Sequence, residues 1–148
     1  MFKAKPTKKA KMEIQYILVI ENNLLNRSML SKSLEQDGFI VQYADSTESG
    51  LAMLTTARPF LIILDINSPK LDARTFTRIL KNDEDTKDIK ILAFSDSSLY
   101  KSLAPFDRLI YTNGQEQLLL KGIRLYLVTM KTVISTIVFK NTAYENNY

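Results

Sequence analysis

The chain contains no cysteine and no histidine. These two absences exclude disulfides, thiolate chemistry, zinc sites of the usual type and any Ser–His or Cys–His catalytic pair. A chain without cysteine also accords with a reducing compartment, and the expected location is cytoplasmic. Glycine is scarce, with 4 residues in 148, and no glycine-rich loop follows the first apolar run. That disfavours a dinucleotide site. No apolar segment follows the lysines at the start of the chain, so they are not part of a secretory signal. Later in the chain there is no lysine between Lys101 and Lys121, an absence that gains meaning below.

The charge that is present is unevenly placed. Formal net charge is +4. Lys3, Lys5, Lys8, Lys9 and Lys11 put five positive charges and no negative one into the first eleven residues, so the rest carries a net −1. The basicity belongs to an arm and not to the body. Residues 1–12 are expected to be a solvated, disordered tail. Nucleic acid or an anionic membrane surface is the contact such an arm would make. Met12 opens "MEIQYILVIENN", an alternative start for translation.

Short apolar runs alternate with helical patterns over the rest of the chain. Ile14 to Ile20 is read as a strand buried on both faces, closed by polar residues. Asn22 or Asn23 caps the helix that follows, with Leu25, Met29, Leu30 and Leu34 at four-residue steps and Gly38 just past its end. Phe39 to Tyr43 is a second strand. Asp45-Ser-Thr-Glu48 reads as a capping box, with Leu51 and Leu54 on the helix behind it. Phe60 to Leu64, "FLIIL", is a third strand that ends at Asp65. A helix carrying Phe76, Ile79 and Leu80 follows, then the polar loop "NDEDTKD". Ile89 to Phe94 is a fourth strand ending at Ser95, and Leu109 to Tyr111 a short fifth. Asn113-Gly-Gln-Glu116 reads as a second capping box. The last helix carries Leu119, Ile123, Leu127, Met130, Ile134 and Ile137 at helical steps and is expected to run to about Phe139.

Five strand–helix alternations with short connections imply an α/β fold: a doubly wound parallel sheet of five strands with helices on both faces. Ligands of such sheets bind at the carboxyl ends of the strands, where the winding reverses. Glu21 and Asn22, Asp65 and Ser95 occupy three of those ends. Oxygen ligands from separate strands are thus expected on one edge.

The stretches "ILVIENNLLNRSMLSKSLEQDGF" and "FLIILDINSPKLDARTFTRILKNDEDTKDIKILAFSD" resemble the receiver domain of two-component response regulators, the single-domain receivers of the cell-polarity type in particular. The resemblance runs from about Tyr16 to Leu127. It implies a flavodoxin-like fold and a role in phosphorelay signalling rather than an enzyme. It makes Asp65 the acceptor of a phosphoryl group from a histidine kinase or phosphotransfer protein. It assigns Mg2+ to Glu21, Asn22, Asp65 and the backbone carbonyl of Asn67. Ser95 becomes the hydroxyl that binds a phosphoryl oxygen, and Thr112 stands where the family has its phosphate-binding lysine.

The chain departs from the family pattern in several places. Asn22 replaces the second acid and brings an amide oxygen without charge. Thr112 replaces the lysine, and Asn113 the proline that usually follows. Loss of one such electrostatic contact commonly costs about 3 kcal/mol, or ~100-fold in rate. Glu21 and Asp65 without a lysine give the site a formal charge of −2, equal to that of three carboxylates with one lysine. The segment between Ser95 and Thr112, which contains Pro105, is short by roughly one helical turn, and Leu109 takes the place of the fifth strand's switch aromatic. The resulting expectation is a receiver over 13–139 with a weakened acceptor at Asp65, weak or absent Mg2+ binding and a polar tail over 140–148. The alternative is a pseudo-receiver that works as a protein-interaction module without phosphate. An apolar stripe on the last helix points to self-association or an unknown protein partner. Lys121, Arg124 and Lys131 argue against a membrane span there.

Overall fold

The computed structural model describes residues 15–67, 71–97 and 105–130. The strands are β1 (Ile17–Ile20), β2 (Val41–Ala44), β3 (Leu61–Asp65), β4 (Lys90–Ser95) and β5 (Arg108–Tyr111). The helices are α1 (Leu24–Gln36), α2 (Thr47–Met53), α3 (Ala73–Lys81) and α4 (Glu116–Thr129). All strand pairs are parallel, in the order β2-β1-β3-β4-β5. This is the doubly wound, flavodoxin-like arrangement, and its winding reverses between β1 and β3.

Alternation along the strands explains the layers. Leu18, Ile20, Ile62, Leu64, Ile91 and Ala93 project to one face and pack with Phe76 and Leu80 of α3. Leu51 and Met53 of α2 pack against the same cluster. Ile17, Val19, Leu61, Ile63, Leu92 and Phe94 project to the other face, onto Leu30 and Leu34 of α1 and Leu119, Ile123 and Leu127 of α4. Each fully buried aliphatic side chain stabilises the fold by roughly 1.5–3 kcal/mol relative to exposure. The central strands are therefore apolar throughout, while the edge strand β2 leaves Tyr43 56% exposed. Gly50 and Gly122 let helices approach closely. A Cβ on Gly50 would lie 2.6 Å from Ile20 Cδ1, and one on Gly122 2.5 Å from Ile110 Cδ1.

The amino-proximal edge of the sheet is fastened by a small polar network. Lys81 Nζ donates to Asp107 Oδ2 at 2.8 Å and to the Ile89 carbonyl at 3.0 Å. Asp107 Oδ2 also accepts from the Ile91 N–H at 2.7 Å, and the Asp107 N–H donates to the Ile91 carbonyl at 2.9 Å. The end of α3 and the starts of β4 and β5 are thereby held as one unit.

Several local readings need correction. β1 to β4 begin later than their apolar runs, because ladder pairing starts at Ile17, Val41, Leu61 and Lys90, while β5 begins one residue earlier than expected, at Arg108. Leu25 is 78% exposed and Ile79 43% exposed, so the buried stripes rest on Leu30 and Leu34 in α1 and on Phe76 and Leu80 in α3. Asn23 caps α1 by accepting from Asn26 N at 3.0 Å, and Gly38 closes it at φ +97°.

The capping-box reading at Asp45 is one residue early. Ser46 is the N-cap of α2 and accepts from Ser49 N at 3.1 Å, while Asp45 accepts from the Ser49 hydroxyl at 3.0 Å. Ser46→Ala is therefore expected to cost about 1 kcal/mol and Asp45→Ala less than about half of that, read from urea unfolding midpoints. Equal losses would restore the earlier assignment.

The second expected box does not form. Asn113 and Gly114 take left-handed conformations (φ 50° and 72°), and α4 starts at Glu116 with Gln115 as a cap that makes no side-chain hydrogen bond. Among the described residues α4 runs to Thr129, and its expected continuation to Phe139 lies outside them. The tails 1–12 and 140–148, the stripe beyond Met130 and the middle of the short segment between Ser95 and Thr112 lie outside the described residues. No helix among the described residues is long and apolar enough to cross a membrane.

Candidate functional site

Three strand ends and the turn after β5 converge on the carboxyl edge of the sheet. Register explains it: Ile20 pairs with Leu64, Asp65 with Phe94 and Ser95 with Tyr111. Glu21, Asp65 and Ser95 are thus the last residues of adjacent strands or the first beyond them, and Thr112 follows next to Ser95.

Each side chain is held by its own local turn. Glu21 is 2% exposed, and its Oε1 accepts from Asn23 N at 2.9 Å. Asp65 Oδ1 accepts from Asn67 N at 2.9 Å. Ser95 is fully buried, and its Oγ accepts from Ser97 N at 3.0 Å, which leaves the hydroxyl proton free to be donated elsewhere. The Thr112 N–H donates to the Ser95 carbonyl at 2.9 Å, which continues the β4–β5 ladder past Tyr111. Asn22 and Asn67 are exposed at the rim. All six residues singled out from the sequence therefore lie on this edge.

One residue there was missed. Asp96 follows Ser95 directly, and its Oδ1 accepts the hydroxyl proton of Thr112. Its charge also acts on Glu21 and on Asp65. The signal was visible in "AFSD": an acid immediately after a strand-end hydroxyl leaves from the same edge. The formal charge of the edge is therefore −3 with Glu21, Asp65 and Asp96 ionised, not −2.

The electrostatics respond accordingly. Burial pushes the Glu21 carboxyl up to about 7, and the charges of Asp65 and Asp96 add to that, against the opposing Asn23 N–H. Burial also raises Asp65, with Asp96 acting in the same direction and the Asn67 N–H and Glu21 against it. With both groups ionised, the buried Oε2 of Glu21 receives no hydrogen bond. With one proton between them, the Glu21 carboxyl bonds to the Asp65 carboxylate. Among the described residues, no lysine or arginine is one of the charges that shift either group. Arg27, the basic side chain beside β1, donates instead to the Glu21 backbone carbonyl at 3.3 Å and lies over the Tyr43 ring, 5.2 Å from its centroid.

This donor set suits a small, hard divalent cation. The unpartnered Oε2 of Glu21 is an oxygen that a cation would satisfy, and Asp65 is next to it. No three acidic side chains among the described residues are arranged to ligate one ion. Neutral oxygens and water would have to complete the shell.

An all-parallel sheet of this order, with acids after β1 and β3 and a hydroxyl at the end of β4, defines a receiver-type site. The description "response regulator receiver domain" matches residues 17–106, and the chain belongs to that family. Among curated proteins, it is 37% identical over 76 residues to the DNA-binding dual master transcriptional regulator RpaA of Synechocystis, covering 51% of this chain and 32% of that protein. The chain spans about a third of the length of several such relatives (32–35%). Among solved structures, it is similar to the phosphorylated cyanobacterial phytochrome response regulator RcpA (TM-score 0.68, 23% identity, 80% of this chain and 96% of that one). It is likewise similar to TrrA of Thermotoga maritima in complex with Mg2+ and BeF (TM-score 0.65, 22% identity, 74% and 96%).

Proposed function

We propose that this receiver domain accepts a phosphoryl group on Asp65 from a histidine kinase or phosphotransfer protein, at a low rate. A carboxylate oxygen of Asp65 attacks phosphorus in line. The P–N bond of the donor phosphohistidine breaks, and the imidazole leaves with the electron pair and takes up a proton. The product is an acyl phosphate on Asp65. Ser95 is the hydroxyl that donates to a phosphoryl oxygen. Glu21, Asp65, the Asn67 carbonyl and the Asn22 amide are the oxygens that would hold Mg2+, which when bound neutralises charge on the transferring group.

One observation carries the low rate. Among the described residues, no cation is one of the charges that shift Glu21 or Asp65, while a third carboxylate, Asp96, is. Phosphoryl transfer relies on positive charge around the moving group, and this edge supplies the opposite. The Thr112 hydroxyl, at the lysine position, is already engaged by Asp96. That engagement favours a second reading: a phosphorylation-independent interaction module. In that case the partner surface is α4, where Leu118, Leu125 and Val128 are exposed. The unit is a non-enzymatic cytoplasmic module over 13–139, flanked by the tails 1–12 and 140–148.

The test is incubation with Mg2+ and acetyl phosphate, followed by intact-mass measurement. Slow, partial addition of one phosphoryl group is expected, and none in Asp65→Ala. Rapid stoichiometric labelling would overturn the weakened-site reading. Absence of labelling with every donor would leave the interaction module.

A further inference from the structure

We propose that Asp96 is a positioning residue that restrains phosphoryl transfer to Asp65, by holding Thr112 in a clasp across the ends of β4 and β5 and by placing a fixed negative charge beside the acceptor. This rests on the reading of Asp65 as acceptor.

The clasp has two parts. The Thr112 N–H donates to the Ser95 carbonyl at 2.9 Å, and the Thr112 hydroxyl donates to Asp96 Oδ1. Thr112 is 4% exposed, so its hydroxyl has little access to water as a competing partner. Thr112 has a single hydroxyl proton, and while Asp96 accepts it that proton is withheld from a phosphoryl oxygen. The backbone fixes where the carboxylate sits. Ser95 is the last residue of β4, and the Ser97 N–H turns back onto Ser95 Oγ at 3.0 Å, so Asp96 lies inside a closed turn. Its charge is felt at both Glu21 and Asp65. A phosphoryl group arriving on Asp65 therefore meets an anion where it needs a donor, and like charges at short range oppose each other.

The transfer step tested is that from acetyl phosphate. An Asp65 oxygen bonds to phosphorus, the P–O bond to the acetyl group breaks, and acetate leaves with the electron pair. Asp96→Ala is expected to raise the labelling rate about tenfold, since it removes the charge and leaves the Thr112 hydroxyl only the long 3.4 Å contact to the Ser95 carbonyl. Asp96→Asn removes only the charge and is expected to give part of that gain. Asp96→Glu keeps a carboxylate and is expected to return the low wild-type rate, which loss of a purely structural contact would not predict. Thermal melting checks that each variant is folded. In a Thr112→Lys background, Asp96→Ala is expected to give a larger gain than in wild type, because Asp96 otherwise pairs with the new lysine.

An Asp96→Ala protein that labels no faster than wild type overturns the proposal, and so does one that does not label at all. If wild type labels slowly and Asp96→Ala gives no gain, the restraint fails while the weakened-site reading stands. If wild type labels rapidly and Asp96→Ala is faster still, the weakened-site reading fails and the restraint stands.

Discussion

The double variant Asn22→Asp, Thr112→Lys is expected to label on Asp65 on the order of 100-fold faster than wild type, and faster than either single change. The reason is charge. Asn22 sits exposed at the rim beside the buried Glu21, so an aspartate there adds a ligand to a donor set that has only two carboxylates close together. Thr112 is buried at the end of the ladder, where a lysine would bring a cation that no described residue supplies to Asp65. The two changes act on one charge arrangement, so their effects should exceed the sum of the parts. Asn22→Asp alone adds an acid to an edge already at −3 and should lower the stability of the metal-free protein. The comparison is of initial labelling rates by intact mass, with Asp65→Ala in each background as the zero. A double variant no faster than its better parent would locate the obstacle elsewhere, in the segment after Ser95 or in Asp96.

The second large effect is on stability against pH. Glu21→Gln is expected to be nearly neutral at about pH 4.5 and to stabilise the metal-free protein by roughly 1–3 kcal/mol at about pH 8. The sign follows from proton counts. Burial raises the folded pKa of Glu21 from 4.5 to about 7. Between those values the folded state holds a proton that the unfolded chain has released. The stability this contributes is complete below about 4.5 and is lost as pH rises through about 7. Asp65, also raised, acts in the same direction. Glutamine keeps the shape and stays neutral, so the difference between the two proteins isolates the group. Mg2+ should narrow the gap at high pH by binding the ionised form of wild type. Urea unfolding at the two pH values measures it. A variant less stable than wild type at about pH 8 would reverse the argument.

The layers and their order of winding were legible because each central strand is apolar on both sides and each ends in a polar residue. Ile17 to Ile20 and Leu61 to Leu64 leave no other fold for themselves than a covered parallel sheet. The exact caps were less legible. Asp45 and Ser46 both precede the helix and both accept hydrogen bonds from Ser49, so local pattern alone does not order them. Leu25 and Ile79 obey helical spacing yet face water, because periodicity marks a stripe without saying how far the core reaches along it. The edge that gathers Glu21, Asp65 and Ser95 was readable from strand ends, and Thr112 only from the resemblance to receivers. The place of Asp96 on that edge was readable from "AFSD", but its bond to Thr112 was not. It depends on a turn that directs a loop carboxylate back onto the neighbouring strand, and that is a property of three-dimensional placement. The protonation of Glu21 was hidden for the same reason, since its burial is set by elements distant in sequence.

The fastening of Asp107 has a consequence for how such a chain tolerates deletion. β5 is located at its starting end by Asp107 against Ile91 and Lys81, next to Phe106 in the core. A connection anchored downstream can lose residues without dragging the strand out of register, much as a rope can be cut short once its far end is tied. Leu92 meets Arg108 and Ser95 meets Tyr111, which brings Thr112 beside the end of β4. Changes of length in the crossover beyond Ser97 are therefore expected to leave the register of β4 and β5 in place. Insertions and losses there should alter what the domain presents to others while leaving its interior geometry as it is.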